Sequence, residues 1–98
     1  MSTKPYPRRI VHRVQTGVRM ERRILLVLKA LAGSYAVSLG DLLEGIVLHA
    51  FEGRAPFGAD SLERIADLRR VYGLDLRAVD SHLLVERSRK AKPRKKRT

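Results

Sequence analysis

The sequence predicts a mainly α-helical fold with one N-terminal β-strand, completed as an intertwined homodimer. Three observations lead there. Residues 12–20 (HRVQTGVRM) alternate, with His12, Val14, Thr16, Val18 and Met20 on one face and Arg13, Gln15, Gly17 and Arg19 on the other. That is the period of a half-buried strand. After Met20 the apolar residues recur at helical spacing. Finally, a lone strand leaves ladder groups unpaired on both edges. The economical partner is its copy in a second chain, giving a two-stranded antiparallel intersubunit ribbon with four helices on its apolar face. The expected dimer core is Val14, Val18, Met20, Ile24, Leu28 and Leu31, with Leu42, Leu43, Ile46, Val47 and Ala50. Folding and association would then be coupled.

Each element follows in chain order. Residues 1–12 are expected to form a flexible basic arm, because Pro5 and Pro7 fix φ and deny helix to the start of the chain. The strand spans Ile10–Met20 and is best from Val14 onward. A first helix is expected from Glu21 to about Tyr35, on the stripe Ile24, Leu28, Leu31 and Ala32. Leu25, Leu26 and Val27 widen that stripe until only Lys29 breaks it, so the helix needs cover on more than one side. Ser38 opens the second helix, with Asp41 three residues on in the manner of a capping box. That helix runs to about Glu52 on Leu42, Leu43, Ile46, Val47, Ala50 and Phe51. Gly45 in its middle costs roughly 1 kcal/mol of helix propensity and suits either a tolerated glycine or the close approach of another backbone. Gly53 ends the helix and Pro56 blocks its continuation.

Residues 54–86 are expected to be a C-terminal helical extension packed on the core. A third helix capped at Asp60, with Glu63 three residues on, turns Leu62, Ile65, Leu68 and Val71/Tyr72 inward, and Gly73 stops it. A short fourth helix is expected over Asp75–Glu86 through Leu76, Val79, Leu83 and Leu84. The third helix would cover Leu25, Leu26 and Leu48, with Phe57 plugging the corner. From Arg87 the run RSRKAKPRKKRT has no apolar residue beyond Ala91 and is expected to be a disordered basic tail.

Charge points to the partner. The net charge of +11 resolves into +6 over residues 1–23, −3 over 24–86 and +8 over 87–98. A slightly acidic middle with two cationic ends is the footprint of a polyanion binder. Enzyme chemistry is not expected. There is no Gly-rich phosphate loop, no nucleophile–base set and no cysteine, and His12, His49 and His82 lie far apart. Asp80-Ser81-His82 are adjacent and would point apart on a helix, and His49 beside Glu52 reads as a surface pair. No cofactor, metal or membrane partner is expected. The longest purely apolar run is Ile24–Leu28, far short of the roughly 20 residues a span needs. Without an apolar leader near the N-terminus, the expectation is a cytoplasmic, nucleoid-associated protein.

Residues 13–53, VQTGVRMERRILLVLKALAGSYAVSLGDLLEGIVLHAFEG from Val14 onward, resemble the ribbon-helix-helix DNA-binding family of the Arc and methionine-repressor type. The marks are Val18-Arg19-Met20 at the strand end, Leu28, Leu31 and Ala32 closing the first helix, and Ser38 opening a Leu-Leu-Glu-Gly-Ile-Val helix. The resemblance implies a dimeric ribbon in the major groove. Gln15, Gly17 and Arg19 would face base edges, with Arg13 at the rim. It also implies a phosphate at the N-terminus of the second helix, on Ser38, Leu39 and Gly40. Three positions depart from the family pattern: Gly17 offers no reading side chain, Gly40 offers only an amide, and Ala36 stands where glycine commonly ends the first helix. Those departures shift affinity toward phosphates, for which Lys4, Arg8 and Arg9 on the arm and Lys92, Arg94, Lys95, Lys96 and Arg97 on the tail are suited. The expected function is sequence-influenced binding of double-stranded DNA in transcription regulation. Two other readings stay open: an RNA- or ribosome-associated basic protein, and an antitoxin-like module whose residues 54–86 grip a protein partner. Few aromatics and no aromatic strand face disfavour single-strand recognition.

Overall fold

A computed structural model describes residues 8–87. Three helices form the body: α1 (Arg22–Ser34), α2 (Leu39–Phe51) and α3 (Ala59–Tyr72), followed by a single 3₁₀ turn at Ala78–Asp80. The chain bends by 101° between α1 and α2, and α3 lies along α1.

Sharp ends define these helices. Glu21, the N-cap of α1, accepts hydrogen bonds at Oε1 from the amides of Arg23 (2.8 Å) and Ile24 (3.1 Å), satisfying two of the helix's free donors. Ser38 Oγ does the same for the Asp41 amide at 3.0 Å. At the C-terminal ends one backbone motif recurs. The Val37, Arg54 and Leu74 amides donate back to the carbonyls of Ala32, His49 and Arg69, each after a residue with positive φ. Gly53 and Gly73 fill that position in α2 and α3, whereas α1 uses Ala36 at φ 58°. A Cβ in the left-handed region costs roughly 1–2 kcal/mol, part of which glycine returns through its freer unfolded chain. Ala36→Gly is therefore expected to stabilise the fold by about 0.5–1 kcal/mol, read as a raised melting temperature.

The core sits where the helices meet. Leu31 (1% exposed), Ala32 and Leu42 form its centre, and Leu28, Val37, Ile46, Phe57, Ile65 and Leu68 close around them. Val27 and Leu74 are also buried. Polar contacts fix α3 on α1: Tyr35 Oη hydrogen-bonds Ser61 Oγ, and the Arg64 guanidinium lies 5.8 Å from the centre of the Tyr35 ring. Arg23 reaches the Gly73 carbonyl (3.0 Å) and the Asp75 carboxylate (3.1 Å), tying the start of α1 to the end of α3.

Several expectations are corrected. No β-strand occurs among the described residues, so the fold class of an N-terminal strand in an intertwined ribbon-helix-helix dimer does not hold for this chain. The segment 8–20 runs without helix or ladder and makes no backbone hydrogen bond to the rest of the described chain. Alternation marks which side chains would share a face, but a strand exists only when a second backbone completes its ladder. Among the described residues no second backbone pairs with it. The fourth helix is likewise absent. Over 75–86 only the Ala78–Asp80 turn forms, held by the Arg77 amide on Asp80 Oδ2 (2.7 Å), and His82 at φ 67° breaks any continuation. Helix α3 begins at Ala59 with Gly58 as its N-cap and no side-chain cap. Asp60 lies inside the first turn, where its charge favours the helix dipole. At Gly45 nothing outside its own helix turn comes within 4 Å of where a Cβ would stand, so no other backbone among the described residues closes on it.

Candidate nucleic-acid interface

The basic side chains at the N-terminal side of α1 lie on an open segment. Every residue from Arg8 to Met20 is exposed. That segment and the first turn of α1 carry Arg8, Arg9, Arg13, Arg19, Arg22 and Arg23 against Glu21 alone.

Two carboxylates tie the segment to the body. Arg13 grips Glu44 of α2 with both arms of its fork, Nε to Oε2 at 2.8 Å and Nη2 to Oε1 at 2.7 Å. Arg19 makes the same two-pronged contact with Glu86, Nε donating to Oε1 at 3.3 Å and Nη2 donating to Oε2. The hydrogen bond from Arg13, followed by its charge, holds the Glu44 carboxyl below the usual carboxylate range despite some loss of hydration. All four side chains are largely exposed, so each pair contributes little to stability. Glu21 differs, since its side chain is mostly covered. Burial pushes its pKa up, but the Arg23 side chain and the Ile24 and Arg23 amides outweigh that, leaving it below the usual range. A depressed folded-state pKa means its contribution to α1 is complete above the ordinary carboxylate range and is lost as pH falls through the lowered value.

Of the residues expected to face bases, Arg13 and Arg19 are thus engaged by Glu44 and Glu86. Gln15 is exposed and makes no side-chain hydrogen bond among the described residues, and Gly17 has open space around it. Of the phosphate group, Ser38 spends its hydroxyl on the Asp41 amide, and Gly40 is exposed in the first turn of α2 beside half-buried Leu39. Arg8 and Arg9 are exposed. Lys4, Lys92, Arg94, Lys95, Lys96 and Arg97 lie outside the described residues. The apolar residues assigned to the dimer core divide. Leu31 and Leu42 are buried, and Ile24, Leu28, Leu43 and Ile46 are half-buried. Val14 and Val18 (75% each), Met20, Val47 and Ala50 are exposed.

Sequence reasoning missed Glu44 and Glu86 as neighbours of this surface. Arg13–Glu44 and Arg19–Glu86 join residues 31 and 67 positions apart, and no spacing rule signals such pairs. Among the described residues no group of three His, Cys, Asp or Glu side chains can hold a metal ion, and no single helix is long and apolar enough to cross a membrane. Comparison of the chain with protein-family models, with curated proteins and with solved structures finds no match.

Proposed function

We propose that this chain binds double-stranded DNA as a homodimer, with most of the affinity supplied by phosphate contacts. The observation that carries the reading is the separation of charge. The exposed segment Arg8–Met20 bears four arginines and no carboxylate of its own, and it leads into a helical body that is net negative over residues 24–86. A second cationic run follows at residues 87–98. An extended stretch over 8–20 can reach roughly 40 Å, alongside a duplex that presents one phosphate charge per roughly 1.7 Å of its axis. Neutralising such a lattice releases counterions, which makes binding tight at low salt and steeply salt-dependent. Gln15 is the uncommitted polar side chain best suited to add base preference, by pairing with adenine.

Self-association is supported by the apolar surface the single chain leaves open. Leu43, Val47, Ala50 and Phe51 (81% exposed) form one stripe along α2, continuous with the buried side at Leu42 and Ile46. Val14, Val18 and Met20 add a second exposed apolar set. A standard interface buries about 800 Å² per partner, and these side chains would form its apolar centre. A second copy also doubles the cationic segments presented to one duplex. The reading is tested by competing a labelled duplex of about twenty base pairs with unlabelled DNA and RNA duplexes of equal length, for the wild type and Phe51→Glu. The expected results are preference for DNA, dimer mass by light scattering, and monomer mass with weaker binding for Phe51→Glu. Preference for RNA would transfer the proposal to an RNA partner.

A further inference from the structure

A cleft of about 600 Å³ opens between residues 19–22 and residues 84–87. Arg19, Arg22 and Arg87 line it from both sides, and Glu21 and Glu86 are the acids on its wall. Met20, Leu84 and Val85 supply the apolar part of the lining. Three arginines from two segments distant in sequence therefore line one space. One of them already holds an oxyanion: the Glu86 carboxylate sits in the fork of Arg19, and a carboxylate and a phosphate present that fork with similar paired oxygens. Arg22 and Arg87 form no ion pair among the described residues. Glu21, the other acid, is committed to capping α1 and to Arg23.

We propose that this cleft is a phosphate-binding site in which Glu86 stands in for the ligand. The attachment of Glu86 suits a displaceable occupant. Residues 84–87 make no backbone hydrogen bond among the described residues, the last such contact of this segment being Leu83 to the Asp80 carbonyl. Glu86 and Arg19 are both largely exposed, so their pair is weak and replaceable. When Glu86 swings out, the cleft lining retains three arginines against Glu21. Two or three Arg forks around one tetrahedral anion are a stronger arrangement than the single pair they replace. The positive end of α1 lies at the same place and adds a field of the right sign, although Glu21 occupies two of its free amides. The site deepens the duplex reading, which enters only as one source of the phosphate.

The test titrates the full chain with inorganic tripolyphosphate by calorimetry and with a labelled DNA duplex by anisotropy. Glu86→Gln is compared with Glu63→Gln, an equal charge change on the exposed face of α3. Arg22→Gln and Arg87→Gln are compared with Arg54→Gln, whose partner is Glu52 away from the cleft. Glu86→Gln is expected to tighten tripolyphosphate about threefold beyond its control, the size of one exposed ion pair. Arg22→Gln and Arg87→Gln are expected to weaken it about threefold or more beyond theirs. Absent tripolyphosphate binding, or variants that track their controls, would overturn the site, even if the duplex still bound. If the duplex follows the same order, its backbone is the phosphate source. If tripolyphosphate alone does, the site stands for free phosphates and any duplex binding lies elsewhere on the chain.

Discussion

Leu31→Ala is expected to cost about 2–5 kcal/mol, most of the stability of a domain this small. Leu31 is the most enclosed side chain, at 1% exposure, with Ala32, Leu42 and residues from all three helices around it. Removing three carbons there forfeits their transfer energy and leaves a cavity that α2 and α3 cannot both collapse into. Each kcal/mol lowers the melting temperature by roughly 4–8 °C in a domain of this length, so thermal circular dichroism would show a large fall. Leu62→Ala on the exposed side of α3 is the contrast and is expected to cost less than about 1 kcal/mol. Equal effects at the two positions would mean that the core is placed wrongly. If the protein dimerises, the transition temperature of the wild type also rises with concentration.

Deleting residues 88–98 is expected to weaken duplex binding by more than about tenfold near 0.1 M salt. Seven of those residues are Lys or Arg, and each phosphate neutralised contributes about 0.9 to the slope of log affinity against log salt. The deletion should therefore flatten that slope by up to about six. It should leave melting unchanged, because the segment offers only Ala91 to an apolar core. A loss of affinity with no change in slope would mean that the segment acts other than through phosphates. A change in melting would mean that it contributes to the fold.

The helical part of this molecule is readable residue by residue because its signals are local. Ser38 caps α2, Gly53 and Gly73 close α2 and α3, and the stripe through Leu28, Leu31 and Ala32 meets the core. The N-terminal strand does not form because alternation over His12–Met20 states a preference that only a second backbone can satisfy. Among the described residues no such backbone pairs with it, and the segment stays open. The fourth helix fails to form for a related reason. Leu76, Val79, Leu83 and Leu84 have helical spacing, yet Val79, Leu83 and Leu84 find nothing to cover them and stay exposed. The Arg77–Asp80 bond holds one turn, and the positive φ of His82 ends it after three residues. At the charged surface, composition located the cations but not their partners. Glu44 and Glu86 meet Arg13 and Arg19 only because the folded chain brings them there.

The most direct test of the central claim is a titration of the full chain against a labelled DNA duplex of about twenty base pairs between about 50 and 200 mM salt. Binding through the exposed arginines and the basic run 87–98 predicts saturable association at the low end. It also predicts a slope of log affinity against log salt of about −5 or steeper. Absence of duplex binding near 50 mM salt, or a slope close to zero, would contradict it.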